Sequence, residues 1–269
     1  MKVIVSHDVD HLFGRDHWFR DLIYPKLWVR SALEALGGRI TWRECLLRSV
    51  SCFQKQRNRI REVMEFDRRH GVPSVFFFGM RQGLGMSYRP EEAAAIIREV
   101  RDGGFDAGVH GISFSDEREM REEYDTFARV AGFEPCGIRM HYVRRDDKTF
   151  EREAAIGYRF DSTEFDKEEG ASVKAPYAVK GMWEFPLVIM DVYLPRPLEE
   201  AKRETLRRLE QCRAAGLEYV TVLFHDCHFD RAYSDLFAWY QWLVERIETS
   251  AEDSFVSYSD AIRELESAL

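Results

Sequence analysis

Two aspartates and four histidines stand where a chain could assemble an acid–base or metal centre. Asp8 and Asp10 lie two apart in MKVIVSHDVD, so in an extended strand both carboxylates project to one side. Such a pair offers a base and a ligand. The same alternation aims His7 and His11 at the opposite face. His110 in DAGVHGISFSD follows an apolar run, His141 in GIRMHY closes another beside Arg139, and His225 and His228 in TVLFHDCHFD close the last. Imidazole with carboxylate suits zinc or another first-row divalent ion that leaves a coordination position for water. Strand ends of this kind converge on one rim of an αβ barrel, the rim where such barrels carry their chemistry.

The elements that must position these residues are legible as short apolar runs alternating with helical patterns, the signature of βα units around a parallel sheet. Strands are expected at 3–5, 75–78, 105–110, 137–141, 158–161, 183–190 and 219–224. Phe76, Phe77 and Phe78 in succession point to a strand buried on both faces. Helices are expected at 58–70, 117–131, 148–156, 198–215 and 236–248, with another opened by Pro90 and stopped by Gly103-Gly104. Residues 11–56 break the rhythm, being far longer than a usual βα loop. They mix Trp18, Phe19, Tyr24, Trp28 and Trp42 with Arg20, Lys26, Arg30, Arg39, Arg43 and Arg48. This reads as an amphipathic helical insertion packed on the barrel, with a lid or a peripheral membrane contact as open alternatives. The expectation is one α/β domain over 1–269, with 11–56 inserted after the first strand.

Composition bounds the function. The chain has 269 residues, 45% hydrophobic and 32% charged, enough apolar matter for a full core. Lys and Arg number 39 against 47 Asp and Glu, a net charge of −8, which argues against a nucleic-acid partner. The five cysteines are odd in number and form no CxxC pair, so neither a disulfide framework nor a cysteine zinc knuckle is expected, and Cys227 has no nucleophile motif around it. The apolar runs are far shorter than the roughly 18 residues needed to span a bilayer. The N-terminus enters a β-like run with no apolar leader, so a cytoplasmic protein is expected.

The order of these motifs resembles the polysaccharide deacetylases, the NodB-homology carbohydrate esterases, over residues 1–9 and 60–265. SHDVD is similar to the family's TFDDG, one Asp acting as base and the next as metal ligand; the resemblance puts Asp8 on the base and, with altered spacing, Asp10 on the ligand. GVPSVFFFG is similar to the family's second strand. GGFDAGVHGISF resembles the metal motif in which a second His follows the first; His110 matches the first, and Phe114 stands at the second. Arg139-Met140-His141-Tyr142 stands in place of RxPY, so Arg139 matches the residue that orients the base and His141 offers the absent ligand. LFHD matches His225 to the general acid. GYRFDS and MWEFPLVIMD look like linking segments of an SHDVD-type subgroup associated with bacterial surface-polysaccharide (lipopolysaccharide or O-antigen) biosynthesis.

The resemblance implies a distorted (β/α) barrel and hydrolysis of the acetamide of an N-acetylated sugar. It implies a divalent metal, zinc foremost, held by Asp10, His110 and His141, with Asp8, Arg139 and His225 catalytic. Tyr142, Trp183 and Glu184 are expected to meet substrate, Glu184 and Asp191 through sugar hydroxyls and Trp183 either by stacking or as a packing residue. Asp161 reads as a turn or cap. A nucleotide- or lipid-linked sugar is the expected form of substrate. Phe114 and the Asp10 spacing leave open a carbohydrate-binding or assembly protein without a functional metal site, and a metal-independent hydrolase using Asp8 and His225.

Overall fold

The computed structural model describes residues 1–17, 23–167 and 172–268; Trp18, Phe19 and Arg20 of the aromatic-basic insertion lie outside them. In chain order the strands are β1 (Lys2–Val9), β2 (Val75–Gly79), β3 (Asp106–Gly111), β4 (Ile138–Met140), β5 (Phe160–Asp161), β6 (Tyr177–Val179), β7 (Met182–Glu184), β8 (Leu187–Met190), β9 (Tyr219–Leu223) and β10 (Ser254–Phe255). The helices are α1 (Ile23–Leu36), α2 (Trp42–Val50), α3 (Ile60–Arg69), α4 (Pro90–Asp102), α5 (Glu117–Ala131), α6 (Thr149–Ile156), α7 (Leu198–Ala214), α8 (Ser234–Glu248) and α9 (Tyr258–Ser267).

One sheet runs β6-β7-β5-β4-β3-β2-β1-β9-β8, parallel throughout except at the β6–β7 hairpin. β1 is its pivot. Residues Lys2 to Ser6 pair with β9, Ser6 to Val9 pair with β2, and β10 takes the remaining edge at Lys2 and Val3. The sheet curls into a distorted (β/α) barrel, as expected, and α1 with α2 form the expected helical insertion.

The helices cover the sheet because their apolar positions recur on one face. Ile60, Ile97 and Phe127 of α3, α4 and α5 meet Phe76 and Phe78 in one cluster; Leu209, Trp239 and Leu243 of α7 and α8 meet Val220 and Val222 in another. A third joins Ile4, Phe77, Phe160, Phe185 and Tyr258, with the Phe160 and Tyr258 rings stacked at 4.1 Å. Ile4 shares its face of β1 with Ser6 and Asp8, so this third cluster is the floor beneath the polar centre. Local chemistry sets the helix ends: Thr41 and Glu44 close a capping box on α2, and Gly132 takes φ +85° after α5.

The expected strand 183–190 is two strands, β7 and β8, separated at Phe185-Pro186, because proline has no N–H for the ladder. The hairpin at β6 and β7 turns through Lys180 (φ 51°) and Gly181 (φ 90°), the two-residue loop that matches strand twist. Among the described residues no helix is long and apolar enough to cross a membrane.

Candidate active site

Because β1, β3, β4 and β9 run parallel, their C-terminal ends open on one rim. There a cavity of about 780 Å³ is lined by Asp8, Asp10, His110, His141, Tyr142 and His225, among others.

Asp10, His110 and His141 place one ligand atom each within 4.8 Å of the others. Asp10 Oδ1 lies 3.3 Å from His110 Nε2 and 3.4 Å from His141 Nδ1, and the two imidazole nitrogens are 2.9 Å apart. The opposite ring nitrogens fix the tautomers. His110 Nδ1 donates to the Arg139 carbonyl at 3.0 Å, and His141 Nε2 donates to the Leu84 carbonyl at 3.1 Å. Both rings therefore turn a lone pair toward a carboxylate oxygen that is buried with no hydrogen-bond partner. Three acceptors at this range repel unless a cation sits among them, and outer carbonyls that orient ligating imidazoles are the usual support of a metal site. The donor set fits a first-row divalent ion.

With protons in place of a cation, the same three groups attract one another. Burial alone would raise the Asp10 carboxyl, yet the facing imidazoles of His110, His141 and His225 hold it well below the ordinary carboxylate range. Burial opposes charge on His141, and Asp10 outweighs it, moving that imidazole up. The clamp on His141 is strained: Leu84, Tyr142 and Val143 all take positive φ (52°, 59° and 50°), and Tyr142 Oη joins His141 in donating to the Leu84 carbonyl.

Asp8 stands beside this cluster, its Oδ2 3.7 Å from His110 Nε2. Its Oδ1 accepts from Arg139 Nη1 at 3.2 Å. Arg139 is wholly buried, a position charge tolerates only with its donors satisfied. Here Nη1 also reaches Ser6 Oγ, Nε the Ser162 carbonyl, Nη2 the Tyr258 hydroxyl, and the guanidinium lies 4.9 Å over the Phe77 ring.

On the other side Asp191, at the end of β8, holds two imidazoles. Its carboxylate accepts from His225 Nδ1 and His228 Nδ1, each at 2.7 Å, and from His225 N at 2.9 Å. Burial favours the neutral acid, but the two histidines hold Asp191 far below its usual range. Burial likewise opposes charge on His225, and Asp191 with Asp10 and Asp8 raises that imidazole to about 10. Burial together with the neighbouring His225 leaves His228 lowered, despite Asp191. His225 Nε2 lies 3.9 Å from Asp10 Oδ2, which brings this pair to the edge of the three-ligand cluster.

One expectation is corrected and two are decided. Trp183 is buried in the floor cluster with Phe160 and Phe185, so it packs and offers no stacking face to the cavity. Glu184 is fully buried, its Oε1 accepting from Glu164 N, and burial with the nearby Asp161 charge pushes its carboxyl up. It cannot meet a sugar hydroxyl in the cavity, which it does not line. Asp161, read as a turn or cap residue, makes a turn bond: buried at the end of β5, its Oδ2 accepts from Thr163 N, two residues on, at 3.0 Å. Phe114 lies away from the cavity under the Arg144 guanidinium, at 4.5 Å. His7 faces away as expected, between the Phe224 carbonyl and Asp67, whereas His11, past the end of β1 where alternation no longer holds, lines the cavity. Reading along the sequence missed the pairing of His228 with Asp191 and the support of His141 by Leu84. The only sequence trace of the first is the HxxH spacing of 225 and 228.

No protein-family model matches the chain, and no curated protein matches it. Solved structures do. A protein described as a polysaccharide deacetylase from Mycobacterium smegmatis is 16% identical, with 99% of this chain and 90% of that chain covered at a TM-score of 0.68. Another so described, from Pseudomonas aeruginosa PAO1, is 14% identical over 78% of this chain and 73% of its own at 0.59. Puue allantoinase is 12% identical over 99% and 89% at 0.62. The fold that carries this rim of carboxylates and imidazoles is thus the distorted (β/α) barrel shared by the polysaccharide deacetylases.

Proposed function

We propose that the chain hydrolyses the acetamide of an N-acetylated sugar, using a divalent ion, zinc foremost, in the assembly of a bacterial surface polysaccharide. The observation that carries this reading is the placement of an orphaned Asp10 oxygen and two oriented imidazole lone pairs between an Asp8–Arg139 pair and an Asp191–His225 pair. Asp10, His110 and His141 would hold the ion. A divalent ion supplies Lewis acidity and brings the pKa of water from about 16 to about 7. Asp8 takes the proton of the attacking water through its free side, while Arg139 neutralises the other and fixes its direction. The His225 imidazolium, aligned by Asp191, gives its proton to the departing amine as the C–N bond breaks. Acetate and a free amino sugar leave. Tyr142 would touch the sugar, a role supported by its 59% exposure and its place in the cavity lining. The basic residues of the insertion support a sugar still joined to a nucleotide or lipid carrier.

Metal content and acetate release test this together. Protein prepared without chelator should carry about one divalent ion per chain, lost in His110→Ala and His141→Ala. Asp8→Asn should keep the ion and lose roughly 10² to 10⁴ in acetate release from N-acetylated sugars. No bound ion after incubation with zinc or cobalt refutes the reading.

A further inference from the structure

Beyond the imidazole pair the cavity changes character. The His228 ring lies 4.7 Å from the Tyr233 ring, and the Arg48 guanidinium sits 4.6 Å over that same Tyr233 ring. Arg57 Nη2 reaches the Tyr233 hydroxyl at 3.5 Å. Arg30, Arg39 and Arg196 line the same arm. Four of the five arginines come from the 11–56 insertion and the segment just after it, which the centre described above does not use. Glu34 is the carboxylate lining this arm, and it is shared between Arg30 Nε and Arg48 Nη1, each at 2.8 Å.

The arrangement is more than a solvated basic patch. Arg48 is only 3% exposed, and its Nη2 has no partner among the described residues; Arg57 Nε and Arg196 Nη1 are buried in the same condition. Gathering like charges in a low-dielectric arm is costly, and a buried charged donor left unpaired adds its own desolvation penalty. An anion that accepts from several guanidinium forks removes both penalties. Phosphate oxygens match that fork geometry. The chain as a whole carries −8, so the positive charge is local to this arm, as capture of one anionic group requires and general polyanion binding does not.

We propose that this arm is a binding subsite for a phosphate or diphosphate group of the substrate, with Arg39, Arg48 and Arg57 as its donors, so that the insertion selects a sugar carried on a phosphate ester. The subsite's place in catalysis rests on the deacetylase reading; its ligand chemistry does not. A nucleotide and an isoprenoid carrier present the same diphosphate, and the test separates them.

The whole protein, stripped of metal by chelator, is titrated calorimetrically with inorganic pyrophosphate, uridine diphosphate and farnesyl diphosphate. Binding of at least one is expected, weakened tenfold or more by Arg57→Gln and by Arg39→Glu, and unchanged in His110→Ala. Arg39 is exposed, so its variant keeps the test sound where the buried Arg48 variant fails to fold. Tighter binding of uridine diphosphate assigns a nucleotide carrier, tighter binding of farnesyl diphosphate a lipid one, and equal affinities place recognition in the diphosphate itself. Absence of binding by all three, indifference to both arginine variants, or loss in His110→Ala overturns the proposal. Diphosphate bound at the arginines with no acetate release from any sugar would refute the deacetylase reading and leave the subsite standing. Acetate released from neutral sugars with no diphosphate binding would do the reverse.

Discussion

Glu123 of α5 tests how the loop after His110 is held. Its carboxylate is buried beneath that loop, accepting from Ile112 N at 3.1 and 3.2 Å and from Ser113 N at 3.4 Å. Burial outweighs these donors and pushes the carboxyl from 4.5 up to about 7. At about 1.4 kcal/mol for each unit of pKa, that difference is worth about 3 kcal/mol. The sign follows from the direction. The folded state prefers the neutral acid, so its contribution is complete below about pH 4.5 and is lost as pH rises through about 7. Glu123→Gln cannot ionise and keeps an acceptor for the loop N–H groups. Thermal unfolding of both proteins from pH 4.5 to 8.5 should show the variant gaining about 3 kcal/mol on the wild type across that range, roughly 6–12 °C in Tm for a chain of this size. A difference that stays flat with pH would refute the account of Glu123 as a buried neutral acid.

Two further outcomes are expected. Asp191→Asn cannot accept from both imidazoles and both backbone N–H groups that Asp191 now serves, so acetate release should fall by about 10² to 10⁴ while sugar affinity, read by calorimetry, holds. Val29, Leu33 and Leu36 on α1 and Trp42, Leu46 and Val50 on α2 each form an exposed apolar stripe, so the protein should co-sediment with anionic vesicles and lose most of that binding in Leu33→Glu with Leu46→Glu; wild type left in the supernatant would exclude a membrane contact.

The barrel was legible because period and punctuation agreed along most of the chain. Pro90 and Gly103 bound α4 as their backbone preferences require, and the run of Phe76, Phe77 and Phe78 is buried on both faces of β2. α9, ten residues long, escaped, and the rest of what escaped was short or broken. β10 is two residues long, too short for a period, and owes its pairing to β1, distant in sequence. The hairpin of β6 and β7 carries its signal in Lys180-Gly181, a weaker turn pair than Asn-Gly, and Pro186 divides an apolar run that reads as continuous. Trp183 kept two roles open for a related reason: an aromatic beside a carboxylate suits a sugar platform as well as a core, and only the tertiary floor of Phe160, Phe185 and Tyr258 shows that both residues are interior.

The candidate ligands illustrate a different limit. A motif is read along the chain, whereas an ion responds to distance across the sheet. Phe114, four residues past His110, is turned away beneath Arg144, and a spacing rule alone ends there with a ligand missing. β3 and β4 are adjacent and in register at His110 and Arg139, so a residue just beyond the end of β4 stands as close to His110 as one further along its own loop. His141 occupies that place, 2.9 Å from His110, and the left-handed backbone at Tyr142 and Val143 turns the chain away directly behind it. A candidate ligand at the neighbouring strand end departs from the motif and still brings three donor atoms within 4.8 Å of one another. The same reasoning explains why Asp10 can serve two residues from Asp8: alternation returns both carboxylates to one face, and both reach His110 Nε2 within 4 Å.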